Sequence, residues 1–145
     1  MEAMVNLTGR RLMGRLDAGS DLLSALVGKC RDNNISLGEV RGVGALSKAR
    51  LACFDQPSRK YEFVEYPHDL NVASMNGNIS LLGSKPIVHV HLMLVDDEGR
   101  VFGGQLIKGC QVYAVEYVIV EYTSQTSFER EYDEETGLML WKPGA

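Results

Sequence analysis

Two histidines set two residues apart, His89 and His91, are the side chains of this chain best placed to do chemistry. They interrupt an apolar run, residues 87–95, that reads as a β-strand. Strand side chains alternate between two faces, so both imidazoles point the same way, with Cα atoms about 6.5–7 Å apart. Two imidazoles at that spacing can converge on one ion, and zinc would require at least one further protein ligand. Beyond the turn Asp96-Asp97-Glu98-Gly99 lies Gly103-Gly104-Gln105, a flexible corner able to carry a third polar side chain towards the pair. Two readings stand: a metal or small-ligand site, or two sheet histidines hydrogen-bonded to their neighbours.

Glu116 is the second candidate. Alternation over residues 112–120 places it on one face with Val112, Ala114, Val118 and Val120. A carboxylate on an apolar face needs a partner, because burying an unpaired charge is costly. A metal-bound histidine, Arg130 or a neighbouring subunit could serve, and a structural ion pair is the plain alternative. Support for nucleophilic catalysis is thin: there is no GxSxG elbow, no cysteine beside a histidine and no phosphate-binding glycine loop. Ser74, Ser80 and Ser84 lie near the histidines in sequence without any mark of activation. Nor is there a helix-turn-helix pair, a zinc finger or a basic arm for DNA.

The elements that must position these groups are mostly strands. Residues 10–16 read as a first strand, with Arg11, Met13 and Arg15 on one face and Leu12 and Leu16 on the other. Leu22, Leu23, Leu26, Val27 and Cys30 recur at helical spacing, which predicts a helix over 21–34 capped by Ser20 and closed by Asn33-Asn34. Strands are expected at 37–46, 48–54, 61–66, 70–82, 87–95 and 112–122, with a closing hairpin of 127–132 and 138–141. Asn76-Gly77 inside 70–82 permits either one bulged strand or a hairpin. One helix and about seven or eight strands make an α+β domain on a strongly bent, mainly antiparallel sheet.

Composition sets the outer bounds. At 145 residues, 45% apolar and 23% charged, the chain reads as one domain over 1–145, its core spanning about 10–141. The absence of a long apolar run and of a signal-like N-terminus leads us to expect a cytoplasmic protein without a membrane partner. Cys30, Cys53 and Cys110, each among apolar neighbours, are expected to be small buried hydrophobes. Residues 1–60 hold ten basic and six acidic side chains (+4) and residues 61–145 hold five and thirteen (−8), for a net −4. Folding can scatter that asymmetry or gather it into a basic face.

Taken in order, the early strand, the GSDLLSALVGKC helix, GVGAL, MNGNIS, HVH, GGQL, VEYVIVEY and Arg130 with Glu134-Glu135-Thr136-Gly137-Leu138 resemble the plant and prokaryote conserved (PPC) domain. That domain is attached to AT-hooks in plants and free-standing in bacteria and archaea; the resemblance covers about residues 10–141 and implies a stand-alone prokaryotic member. It further implies an α+β fold, homotrimeric assembly and, in some members, zinc or another divalent metal on a histidine motif. His89 and His91 match that motif, while the usual third histidine falls at Gln105. An amide oxygen is a poorer zinc ligand than an imidazole, so His68 or Glu116 would have to supply the missing ligand, or Gln105 would bond a small polar ligand. A regulatory, DNA-binding role is what the resemblance implies, although the basic AT-hook segment has no counterpart here. The preferred expectation is a homotrimeric binding module with the histidine pocket near a subunit interface. A sensor or enzyme using His89, His91, Gln105 and Glu116 is the rival, and a purely structural assembly domain is the third reading.

Overall fold

A computed structural model describes residues 3–6 and 9–142. Strand β1 (Arg11–Arg15) is followed by helix α1 (Leu22–Asp32), then by β2 (Gly38–Asp55), β3 (Lys60–Tyr66), β4 (Leu70–Leu82), β5 (Lys85–Val95), β6 (Val101–Leu106) and β7 (Gln111–Glu121). A short hairpin, β8 (Arg130–Tyr132) and β9 (Met139–Trp141), ends the described chain. Seven strands form one sheet in the order β1-β7-β2-β4-β5-β6, with β3 on the far half of β2, and every strand pair is antiparallel. This is the expected α+β architecture.

The helix sits where its stripe predicts. Leu22, Leu26 and Cys30 follow one another at four-residue spacing and are fully buried. They meet the inner face of the sheet, built from side chains such as Val90, Leu92, Leu94, Ile79 and Ile119. Its cap differs from expectation. Asp21, not Ser20, is the N-cap and accepts from Ser24 N at 2.9 Å, while Ser20 Oγ donates to the Asp17 carbonyl. A carboxylate satisfies the same free amide and suits the positive end of the helix dipole. Asn33 and left-handed Asn34 (φ 54°) close the helix as expected.

Strand β2 organises the sheet. The expected strands 37–46 and 48–54 are one 18-residue strand, bent by register shifts at Gly42/Gly44 and around Leu46. Its first half pairs with β7 and β4; its second half pairs with β3 and reaches β6 through Leu51↔Leu106 and Ala52↔Gln105. Strands β2, β4, β5 and β6 therefore close on one another. Gly44 makes the bend possible: its φ is 145°, and a Cβ there would overlap the Ala114 carbonyl oxygen.

Asn76-Gly77 is no turn, and β4 runs straight through it. Gly77 is needed for close approach instead, since a Cβ would overlap the His89 carbonyl oxygen. In β7 a register shift near Leu46 leaves Tyr113 and Ala114 both exposed and turns Val112 into the core. Val112 thus does not share a face with Glu116. Cys30 and Cys110 are buried as expected, burial pushing each thiol up to about 11, but Cys53 is exposed. Among the described residues, no helix is long and apolar enough to cross a membrane.

Candidate functional site

Period-two alternation puts a polar stripe on the outer face of the sheet, opposite the helix. Strand β4 contributes Ser74, Asn76, Asn78 and Ser80, and β5 contributes His89 and His91. Register places Asn78 opposite His89, Asn76 opposite His91, and Gln105 of β6 on the other side of His91. The imidazole rings of His89 and His91 lie 5.2 Å apart, tilted by 57°. His89 and His91 therefore share one face, as their spacing implied, and Gln105 joins them from strand β6 where a flexible corner was expected.

Glu116 does not join them. It lies on β7, separated from β5 by β2 and β4, three strand spacings or about 14 Å away. Its register neighbours are Arg15 on β1 and Val43 on β2, it is exposed, and among the described residues it forms no ion pair. It lines a shallow concavity of about 630 Å³ with Met13, Arg15, Arg41 and Val43, which extends to Ser74 and Asn76 of β4 but is not lined by His89, His91 or Gln105. His68 is also elsewhere: it sits in the exposed β3–β4 connection, its Nδ1 3.3 Å from the Asp69 carbonyl and its ring edge-on to Tyr66. Eight residues of chain, six of them along β4 and so roughly 20 Å of strand, separate it from Asn76, the position opposite His91.

Arg130 completes the cluster, and not as a partner of Glu116. Strand β8 lays it over the end of the polar stripe, where Nε donates to Ser80 Oγ at 3.1 Å, Nη2 to Asn78 Oδ1 at 2.7 Å and Nη1 to the Met139 carbonyl at 3.0 Å. Its guanidinium also lies 5.6 Å from the centre of the Trp141 ring. Partial burial first, then the charge of Arg130 and the neighbouring His91, hold the His89 imidazole below its ordinary value of 6.5. His89 is accordingly neutral at physiological pH. Asn78, Ser80 and Arg130 are the residues that sequence reasoning did not assign to the site. The alternating Ser74-Asn76-Asn78-Ser80 pattern was the available signal for the first two.

A metal ion fits this cluster poorly. Zinc sites draw at least three ligands from His, Cys and carboxylate, and among the described residues no group of three such side chains comes together. Two imidazoles and an amide are what one chain offers, and the Arg130 charge opposes an incoming cation. The residues of a single chain do not make a tight zinc site.

The described chain is thus a bent antiparallel sheet with one face packed on a helix and a polar stripe on the other. The chain belongs to the Plants and Prokaryotes Conserved (PCC) domain family, whose sequence model matches residues 5–123. This is the family expected from its motifs. Its fold is similar to that of a metal-containing protein of Archaeoglobus fulgidus, at 31% identity and a TM-score of 0.92, with 99% of each chain covered. It is similar also to a plant- and prokaryote-conserved protein of Pyrococcus horikoshii, at 29% identity and a TM-score of 0.91, covering 99% of this chain and 97% of that one. Within the longer bifunctional protein GlmU of Synechococcus sp., a segment is 32% identical over 126 residues, 86% of this chain and 19% of that protein. The chain thus spans about a fifth of the length of the curated relatives it matches.

Proposed function

We propose that the chain is a homotrimeric binding module whose copies meet through the open face of the sheet, with the His89/His91/Gln105 pocket beside the contact. The outer face carries the proposal. Met13 is 72% exposed, Val43 58% and Met93 51%, and all three belong to that one face, with Val118 and Val120 partly covered beside them. Antiparallel sheets with a solvated face usually make it polar, so exposed apolar side chains set among Arg15, Arg41 and Glu116 on that face suit a contact surface. The pocket then serves a small polar ligand, with zinc or another divalent ion held weakly by two imidazoles. Nothing in the site supplies an activated nucleophile, which favours binding over catalysis.

Sedimentation equilibrium tests the assembly. The expected mass is three times the 16.0 kDa of one chain, reduced towards one chain in a Val43→Asp variant that stays folded by circular dichroism. A single-chain mass for the unaltered protein sinks the proposal.

A regulatory role on DNA is the second reading. Arg11, Arg15 and Arg41 lie on the same outer face. Phosphate contacts by such a face would give duplex binding that falls steeply with salt. A mobility shift with no retained complex at moderate salt removes this reading.

A further inference from the structure

We propose that Arg130, His89, His91 and Gln105 form a site for a small oxyanion, a carboxylate or a phosphate group, with Arg130 supplying the charge. This rests on the ligand pocket proposed above and names the class of ligand it takes. The observation is a half-buried cation that has no carboxylate partner among the described residues, with the Tyr61 phenol as an acidic neighbour. A guanidinium has five N–H donors, and Arg130 spends three of them on Ser80 Oγ, Asn78 Oδ1 and the Met139 carbonyl, all neutral oxygens. Two donors remain. Among the described residues it forms no ion pair. Glu39, which faces Asn78 in register, is engaged instead by the Tyr122 hydroxyl.

Holding a charge partly out of water with no opposite charge is unfavourable, and the same loss of water strengthens its attraction to an anion. Three hydrogen bonds and the Trp141 ring fix the guanidinium plane, so its geometry is set before a ligand arrives. A planar fork suits the paired oxygens of carboxylate and phosphate. The Trp141 indole N–H is a further buried donor without an acceptor among the described residues, on the ring over which Arg130 lies. From Arg130 the row continues through His89 and His91 to Gln105, groups that donate hydrogen bonds without bringing negative charge. A third histidine would bias this corner to metal; the Gln105 amide provides N–H donors for a ligand oxygen.

The test titrates the full chain with inorganic phosphate, and separately with malonate, at low ionic strength, following the Arg130 Nε–H and histidine ring signals by NMR. Saturable shifts at Arg130 and His89 are expected, and the tighter of the two anions identifies the oxyanion source. Arg130→Gln should weaken binding about ten- to hundredfold, the loss of a charge-assisted hydrogen bond. Arg130→Lys, which keeps the charge without the fork, covers the case in which the glutamine variant does not fold, and should also bind more weakly. Unchanged affinity in the folded variants, or no saturable shift with either anion, overturns the proposal. If zinc moves His89 and His91 while neither anion moves Arg130, the anion class falls and the pocket stands; if no probe moves any of them, both fall. If Arg130→Gln instead dissociates the assembly and no anion binds, the counter-charge comes from a second copy and the proposal is overturned.

Discussion

Replacing Gln105 with histidine should convert the His89/His91 cluster into a zinc site. Gln105 is the register partner of His91, so a side chain there stands about 4.5–5.5 Å away at Cβ, within reach of an ion bridging the existing imidazoles. Structural zinc sites of four ligands are worth roughly 10–16 kcal/mol, which apportions about 3 kcal/mol to each ligand. A third imidazole should therefore tighten zinc binding on the order of a hundredfold. His89 is already held in its neutral, ligating form at pH 7 by burial and by Arg130, although that same positive charge limits the gain. Isothermal titration of untagged protein, with elemental analysis of the dialysed product, measures the difference. Uptake by Gln105→His no tighter than by the unaltered chain would refute the reasoning, because the strand register would not then bring the three positions onto one ion.

Two further outcomes concern stability. Leu26→Ala removes a side chain with no solvent exposure from the helix–sheet contact, and should cost about 2–5 kcal/mol in urea unfolding; a loss below about 1 kcal/mol would show that the helix is not the lid of the core. Glu121 accepts from Arg10 Nε at 2.8 Å and Nη2 at 2.9 Å, and this hydrogen-bonded pair, with burial opposing it, lowers its pKa from 4.5. A depressed folded-state pKa contributes stability that is complete above the ordinary value and disappears as pH falls through the depressed one. Stability should decline below about pH 4.5 and decline less in Glu121→Gln; parallel acid-unfolding curves for the two proteins would exclude that coupling.

Much of the local structure was written in residue spacing. The stripe Leu22, Leu26 and Cys30 specified both the helix and its buried face. Alternation in 87–95 specified that His89 and His91 share a side, because a strand has only two. Charge, caps and turns were less legible. Asp21 took the capping role for which Ser20, one residue earlier, was an equally suitable residue type, and the Ser20 hydroxyl turned to the Asp17 carbonyl. Asn76-Gly77 carries a turn signal in isolation, yet Gly77 serves close packing against His89, a requirement set by another strand.

What the sequence by itself determined was therefore local: which segments are strands and which face most of their residues take. Only the tertiary structure decided who stands beside whom. Strand order puts β2 and β4 between Glu116 and the histidines, and so excludes a carboxylate that alternation alone had left available. The hairpin of β8 and β9 brings Arg130 onto Asn78 and Ser80 across about fifty residues of chain. No periodicity encodes such a contact, because it depends on how the closed strands and the final hairpin bury their apolar surfaces together. The result is a side-chain cluster whose histidines were visible from the start and whose charge was not.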